Sequence, residues 1–182
     1  MRFLLFGISG VIIFNLLVFT AYSQDLSYKE RWKEIAVLEN KGLTSSAREK
    51  TKEILRDATA ANNNSQQLKS TLFLMKYQSF TEEDVAVSEI KLIDSVRFQS
   101  RSPLKDILLS LKADVLNAFS DQNRYQIRTR TALANDNSMD FQTWSEDRFK
   151  KEINKLYLES ISDEKSLRKV PLELFNEVFS KG

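Results

Sequence analysis

Ser102-Pro103-Leu104-Lys105-Asp106-Ile107-Leu108-Leu109-Ser110-Leu111-Lys112-Ala113-Asp114-Val115-Leu116-Asn117-Ala118-Phe119 is the stretch that decides the fold. Ser102 is placed to cap a helix, and Pro103 suits a first helical position, where the missing N–H is no loss. Leu104, Ile107, Leu108, Leu111 and Val115, continued by Ala118 or Phe119, then recur at helical spacing without a break. The same grammar extends outward in both directions.

Toward the N-terminus, Val85, Val87, Ile90, Ile93 and Val96 carry another helix. Thr81 caps it, and Glu82, Glu83 and Asp84 suit its positive end. Before it, Ser65 is read as the cap of a helix holding Leu68, Leu72, Phe73, Met75, Tyr77 and Phe80. Those side chains cover more than one face, so this helix is expected to be central. The polar run Ala60 to Asn64 precedes it as a turn tolerant of unusual backbone angles. Earlier still, Ala47, Thr51, Ile54, Leu55 and Ala58 follow a Ser46/Glu49 capping box. Residues 27–40 read as a helix with Tyr28, Trp32, Ile35 and Ala36 on one face, stopped by Gly42.

Toward the C-terminus the pattern loosens between Asp121 and Gln142. Asn135 to Asp140 reads as a polar loop. Thr143 with Glu146 offers a capping box ahead of Phe149, Ile153, Leu156, Tyr157 and Ile161. Ser162-Asp163-Glu164 starts a short turn, Pro171 breaks it, and Leu172 to Phe179 makes a last short apolar helix. Phe175, Val178 and Phe179 there ask for a partner.

The expected fold is therefore all-α: an irregular array of antiparallel helical hairpins, six or seven helices, loosely solenoid-like. Composition agrees. The chain has 182 residues but only four Gly and two Pro, too few for the tight turns of a strand-built body.

Residues 1–23 have the layout of a secretory signal peptide. Met1-Arg2 is basic, Phe3 to Phe19 is almost unbroken apolar, and Ala21-Tyr22-Ser23 is a small-x-small exit. The expectation is an exported chain with a single helical domain over 24–182, located in the periplasm, the cell envelope or outside the cell. The rival is an uncleaved anchor, which Gly7, Gly10 and Asn15 argue against. The membrane would then be met only through the leader. No Cys follows, so a lipid anchor is not expected.

Zero Cys and zero His remove a thiol nucleophile, an imidazole base, a Ser-His-Asp triad and a Cys/His zinc site. Carboxylates converging on a pocket are not suggested by any spacing, so no enzyme and no cofactor is expected. A net charge of +2 gives no reason to expect nucleic acid.

Each local candidate reads best as structure. Glu82, Glu83 and Asp84 satisfy a helix start. Asp136-Asn137-Ser138-Met139-Asp140 alternates oxygen donors but lacks the Gly and the closing Glu of a calcium loop. Arg124, Arg128 and Arg130 around Tyr125 read as a packed, salt-bridged helix end, with Asp121 and Asp136 nearby. Trp32 and Trp144 read as core anchors with the ring N–H near solvent. Asn63-Asn64-Ser65 matches a glycosylation acceptor, a triplet that arises often by chance.

Several stretches together resemble a known family. They are Trp32-Lys33-Glu34-Ile35 with Leu38, and Lys41-Gly42-Leu43-Thr44-Ser45-Ser46-Ala47. Further on come Asn123-Arg124-Tyr125-Gln126-Ile127 followed by Arg130-Thr131, then Thr143-Trp144-Ser145. Last come Tyr157, Ser166-Leu167 and Val170-Pro171-Leu172. In order and spacing they resemble the N-terminal helical region of bacterial alpha-2-macroglobulin family proteins of the Bacteroidetes type, over roughly Tyr28 to Lys181. The resemblance implies a module of a large envelope protein that traps proteases through β-rich domains, a bait segment and often a Cys-Gln thioester.

This chain has no Cys and no room for the β-domains. The implied role is therefore docking or scaffolding, with inhibition residing elsewhere. Trp32, Gly42, Asn123, Arg124, Arg130, Thr131, Thr143 and Trp144 are its signature residues, expected to be structural. The implied partner is a protein: the downstream domains of a parent protein, or another envelope protein. The alternative is a stand-alone exported module that binds a protein or a peptide.

Overall fold

The computed structural model describes residues 27–130 and 138–179. The leader, Thr131 and Asp136 lie outside the described residues. Within them the chain is all-helical, with no strand. The eight α-helices are α1 (27–40), α2 (Thr44–Ala60), α3 (Asn64–Gln78), α4 (Val85–Gln99), α5 (Leu104–Gln122), α6 (Arg124–Arg128), α7 (Glu146–Ser160) and α8 (Glu164–Leu167). Short 3₁₀ turns stand at Phe141–Thr143 and Leu172–Phe175. The expected six or seven helices become eight because α6 and α8, of one turn each, are separate elements. None of the described helices is long and apolar enough to cross a membrane.

Two compact units divide the chain after Ile54. In the first, Tyr28, Trp32 and Ile35 of α1 are buried, as are Ala47, Thr51 and Ile54 of α2. These are the positions that the helical period marks, except that Ala36 is exposed. Lys50 pairs with Glu34 at 3.7 Å.

The ends of α1 and α2 use one device. Gly42 has φ +71°, its N–H reaches the Glu39 carbonyl, and the Leu43 N–H reaches back to Leu38. Asn62 has φ +52°, its N–H reaches Thr59, and the Asn63 N–H reaches Ala58. Both are Schellman closures, in which a left-handed residue lets two N–H groups satisfy the last free carbonyls.

In the second unit α5 is the helix that others share. It packs most extensively against α7, then against α4, with further contacts to α3 and α6. Its buried residues are Leu104, Leu108, Leu109, Ala113, Val115 and Leu116, while Ile107, Leu111 and Phe119 are half-buried against the core. A helix flanked on several sides must be apolar over a wide arc, and Leu109, Ala113 and Leu116 broaden the expected stripe.

The central position expected of α3 thus belongs to α5. Half the residues that α3 buries are polar: Gln66, Gln67, Ser70 and Thr71 beside Leu68, Leu74, Met75 and Tyr77. Phe80 lies past its end and is 70% exposed.

Several helix starts differ from the expected ones, because a side-chain oxygen caps from whichever residue the backbone turns out of the helix. Asn63, not Ser65, caps α3 by accepting from the Gln66 N–H at 3.2 Å. Thr81 donates to the Tyr77 carbonyl and so closes α3 rather than opening α4. Ser145, not Thr143, caps α7. Glu49 lies inside α2 and accepts from Lys52 at 2.7 Å. Asp163 caps α8, within the stretch Ser162-Asp163-Glu164 that was expected to start a short turn.

Residues 172–179 are a 3₁₀ turn followed by further turns, not a helix. Phe175 is buried in the core and Val178 packs against it. All three side chains that asked for a partner therefore find one inside the chain, Phe179 through the Phe175 ring, 5.9 Å away, while itself staying 41% exposed.

Candidate functional site

The signature residues fall in two places. Trp32 is buried in α1 and Gly42 ends that helix, both in the first unit. Asn123, Arg124, Arg130, Thr143 and Trp144 belong to the second unit, and four of these meet around one aromatic cluster.

The cluster starts from α5. Asn123 ends α5 and opens α6, and its Nδ2 donates to the Phe119 carbonyl at 2.9 Å. The Phe119 ring stands edge-on to Phe141, with centroids 5.0 Å apart, and 6.0 Å from Phe149. Trp144 completes the set, edge-on to Phe141 at 6.3 Å and to Phe149 at 5.4 Å. Aromatic pairs favour such edge contacts because a positive rim meets a negative face.

Polar groups then fix Trp144. Its indole Nε1 donates to the Ser138 carbonyl at 3.0 Å, so the ring N–H that was expected near solvent is satisfied within the chain. Arg130 Nη1 donates to the Trp144 carbonyl at 3.0 Å. The Arg148 guanidinium lies over the indole, 4.6 Å from its centroid, and Nη2 donates to the same Ser138 carbonyl at 2.6 Å. Thr143 Oγ1 donates to the Asp140 carbonyl at 2.7 Å, closing the 3₁₀ turn that Asp140 caps.

Phe141 and Arg148 are not singled out by the sequence, and Ser138 appears there only as one oxygen donor of the loop that ends at Asp140. Arg148 lies in the first turn of α7, four residues after Trp144, whose extended backbone stands just outside that helix. No local signal pointed to Ser138, because its carbonyl, not its side chain, does the bonding to Trp144 and Arg148.

Arg124 stands apart from this cluster. It pairs with Asp121 at 2.7 Å, and Arg128 pairs with Glu146 at 3.8 Å. Lys150 also reaches Glu146 at 2.7 Å, and its hydrogen bond holds the Glu146 carboxyl below its usual range. Tyr125 between them is 84% exposed. Arg124 and Arg128 are salt-bridged at this helix end as the sequence suggested, through Asp121 and Glu146, whereas Arg130 turns to the Trp144 carbonyl.

Three clefts adjoin these residues. One of about 390 Å³ lies beside the cluster, floored by Ile90 and Leu116 and rimmed by Met139, Arg148 and the Lys112–Asp94 ion pair at 2.6 Å. A second of about 360 Å³ runs past Arg124, Arg128, Glu146 and Lys150 over Phe149 and Ile153. A third of about 430 Å³ is lined by amides, among them Gln122, Gln126 and Gln142, beside the start of α4.

No group of three His, Cys, Asp or Glu side chains among the described residues is placed to hold a metal ion. Tyr157 donates to Asp114 at 2.5 Å, joining α7 to α5. That bond is the main reason its phenol is pushed up to about 12, with burial adding to it. A tyrosine so held keeps its proton and is a poor base. The clefts are lined by aliphatic and aromatic side chains together with ion pairs and amides. No family model, curated protein or solved structure matches this chain.

Proposed function

We propose that this chain is a non-catalytic exported helical module of the kind that opens an alpha-2-macroglobulin-like envelope protein. Its helices are read as an irregular array of hairpins following a signal peptide. Its role is docking or scaffolding, its partner a protein, and any inhibition of proteases belongs to domains beyond this module. The observation that carries this reading is the convergence of Asn123, Arg130, Thr143 and Trp144. They lie as far as twenty-one residues apart in the sequence, yet they interlock around Phe119, Phe141 and Phe149. Separate motifs that resemble one family, and that fold onto one cluster, are what a shared ancestral module requires.

An antibody raised against Gln24 to Gly182 and used on cell-envelope fractions tests this. A band many times larger than 21.1 kDa is expected if the module heads a giant protein. A single band at or slightly below 21.1 kDa rejects that reading.

The second reading is a stand-alone exported module that binds a protein or peptide. The inward packing of Phe175 and Val178 favours it, because these two apolar side chains find their contacts within the chain.

A further inference from the structure

Residues 170–179 form a strap whose attachment is narrow. Phe175 is 2% exposed within the core, and Val170 and Val178 pack against the same cluster. Two residues after Phe175, Glu177 Oε2 accepts from Lys69 Nζ at 2.7 Å and from Gln66 Nε2 at 3.2 Å, both on α3. Between α7 and the strap the chain buries nothing: α8 has no buried residue, and residues 161–169 are exposed or half-buried throughout. A segment with few buried contacts, carried on a bare tether, opens at the low end of local stabilities.

What the strap occupies has the chemistry of a peptide site. A closed apolar socket takes an aromatic side chain. An ammonium group and a carboxamide then stand ready for a carboxylate two residues on, a charge-assisted arrangement. The matching ligand is Phe175-Asn176-Glu177, and every copy of this chain carries one such segment and one such socket.

We propose that the strap exchanges between two copies, with residues 170–179 of each seated on α3 of the other. A reciprocal exchange is closed and two-fold, and it reuses every contact seen within one chain. The tether, which buries no side chain, is the part that changes course. A tethered strap sees its own socket at an effective concentration in the millimolar range. Exchange therefore populates as the protein approaches about 1 mM, and reverses slowly because Phe175 must leave the core.

The chain contains no Cys, so introduced thiols are the only ones present. Full-length Lys69→Cys and Glu177→Cys variants are mixed, held at about 1 mM, diluted, and joined with a short bis-maleimide. The expected yield of linked Lys69→Cys/Glu177→Cys pairs is on the order of tenfold above that of a mixture never concentrated. Equal yields overturn the proposal, provided the double variant links within one chain. A double variant that fails to link within one chain overturns the docked strap itself.

The unmodified chain gives an independent reading by light scattering after the same incubation. A dimer fraction that Phe175→Ala removes, with helical content retained, is expected. A monomer throughout also overturns the exchange.

Discussion

The guanidinium of Arg148 lies 4.6 Å from the centre of the Trp144 indole, and both side chains donate to the carbonyl of Ser138. One carbonyl thus fixes a ring and the cation stacked on it. The cation–π contact and the two hydrogen bonds are geometrically dependent, since losing either donor frees the other to move. Arg130 fixes the backbone of the same tryptophan from α6's side of the cluster.

Trp144→Phe keeps most of the ring contact but loses the bond to Ser138. Its expected cost is about 1 kcal/mol, whereas Trp144→Ala should cost about 3 kcal/mol by emptying space beside Phe141 and Phe149. A double-mutant cycle with Arg148→Ala should return a coupling of about 1 kcal/mol in urea titrations. Strict additivity would show that the stacked pair acts as two unrelated side chains.

The two left-handed helix ends give a paired test. Gly42→Ala forces a Cβ into φ +71° and should cost about 1 kcal/mol, although no neighbouring atom lies within 4 Å of that Cβ. Asn62→Ala should cost a similar amount, while Asn62→Gly should be close to neutral, because glycine relieves strain but frees the unfolded chain. Thermal midpoints of the three variants decide the matter. A harmless Gly42→Ala would contradict the conformational account.

Ser70 carries a buried hydroxyl oxygen with no hydrogen-bond partner, on the polar side of α3. Replacing it with alanine removes a desolvated polar group and leaves almost the same volume. Ser70→Ala is expected to stabilise the chain by about 1 kcal/mol, measured as a higher urea midpoint at unchanged slope. Destabilisation of that size would mean the hydroxyl is paired, most simply with a buried water.

Tyr157 sets an alkaline limit. Its phenol is pushed from 10.0 to about 12, so in that window the unfolded chain releases a proton that the folded chain retains. The folded state then binds more protons, and stability falls as pH rises. The contribution is fully present below pH 10 and lost by about pH 12. Tyr157→Phe should show a shallower loss of urea midpoint across that range. Identical alkaline slopes in the two proteins would remove Tyr157 from the account.

Much of this fold is legible because helices announce themselves locally. The spacing of Tyr28, Trp32 and Ile35, or of Ala47, Thr51, Ile54 and Ala58, matches the buried residues directly. Gly42 and the Asn62 turn are read correctly because a left-handed angle restricts residue type at a single position. Caps are read less well. Ser, Thr, Asp and Asn crowd every junction here, and any of several can serve, so Asn63 displaces Ser65 and Ser145 displaces Thr143.

The candidate site divides the same way. Trp144 and the ion-paired arginines stand out as residue types. Their partners do not: Ser138 acts through its carbonyl, and Glu146 is eighteen residues from Arg128. The central place of α5 is also a matter of packing. The sequence marks α3 as apolar on several faces, yet its buried residues include Gln66, Gln67, Ser70 and Thr71.

By itself, then, the sequence determined the helical class, most helix positions and the chemistry that a chain without Cys or His lacks. These follow from interactions within a few residues, which periodicity and residue type encode directly. Only the tertiary structure decided which helix the others share, that Phe175 closes into the core, and that Asn123, Arg130, Thr143 and Trp144 meet at one cluster. Those outcomes depend on contacts between residues far apart in the chain, where side-chain volume and the direction of a single carbonyl choose among arrangements that share the same local pattern.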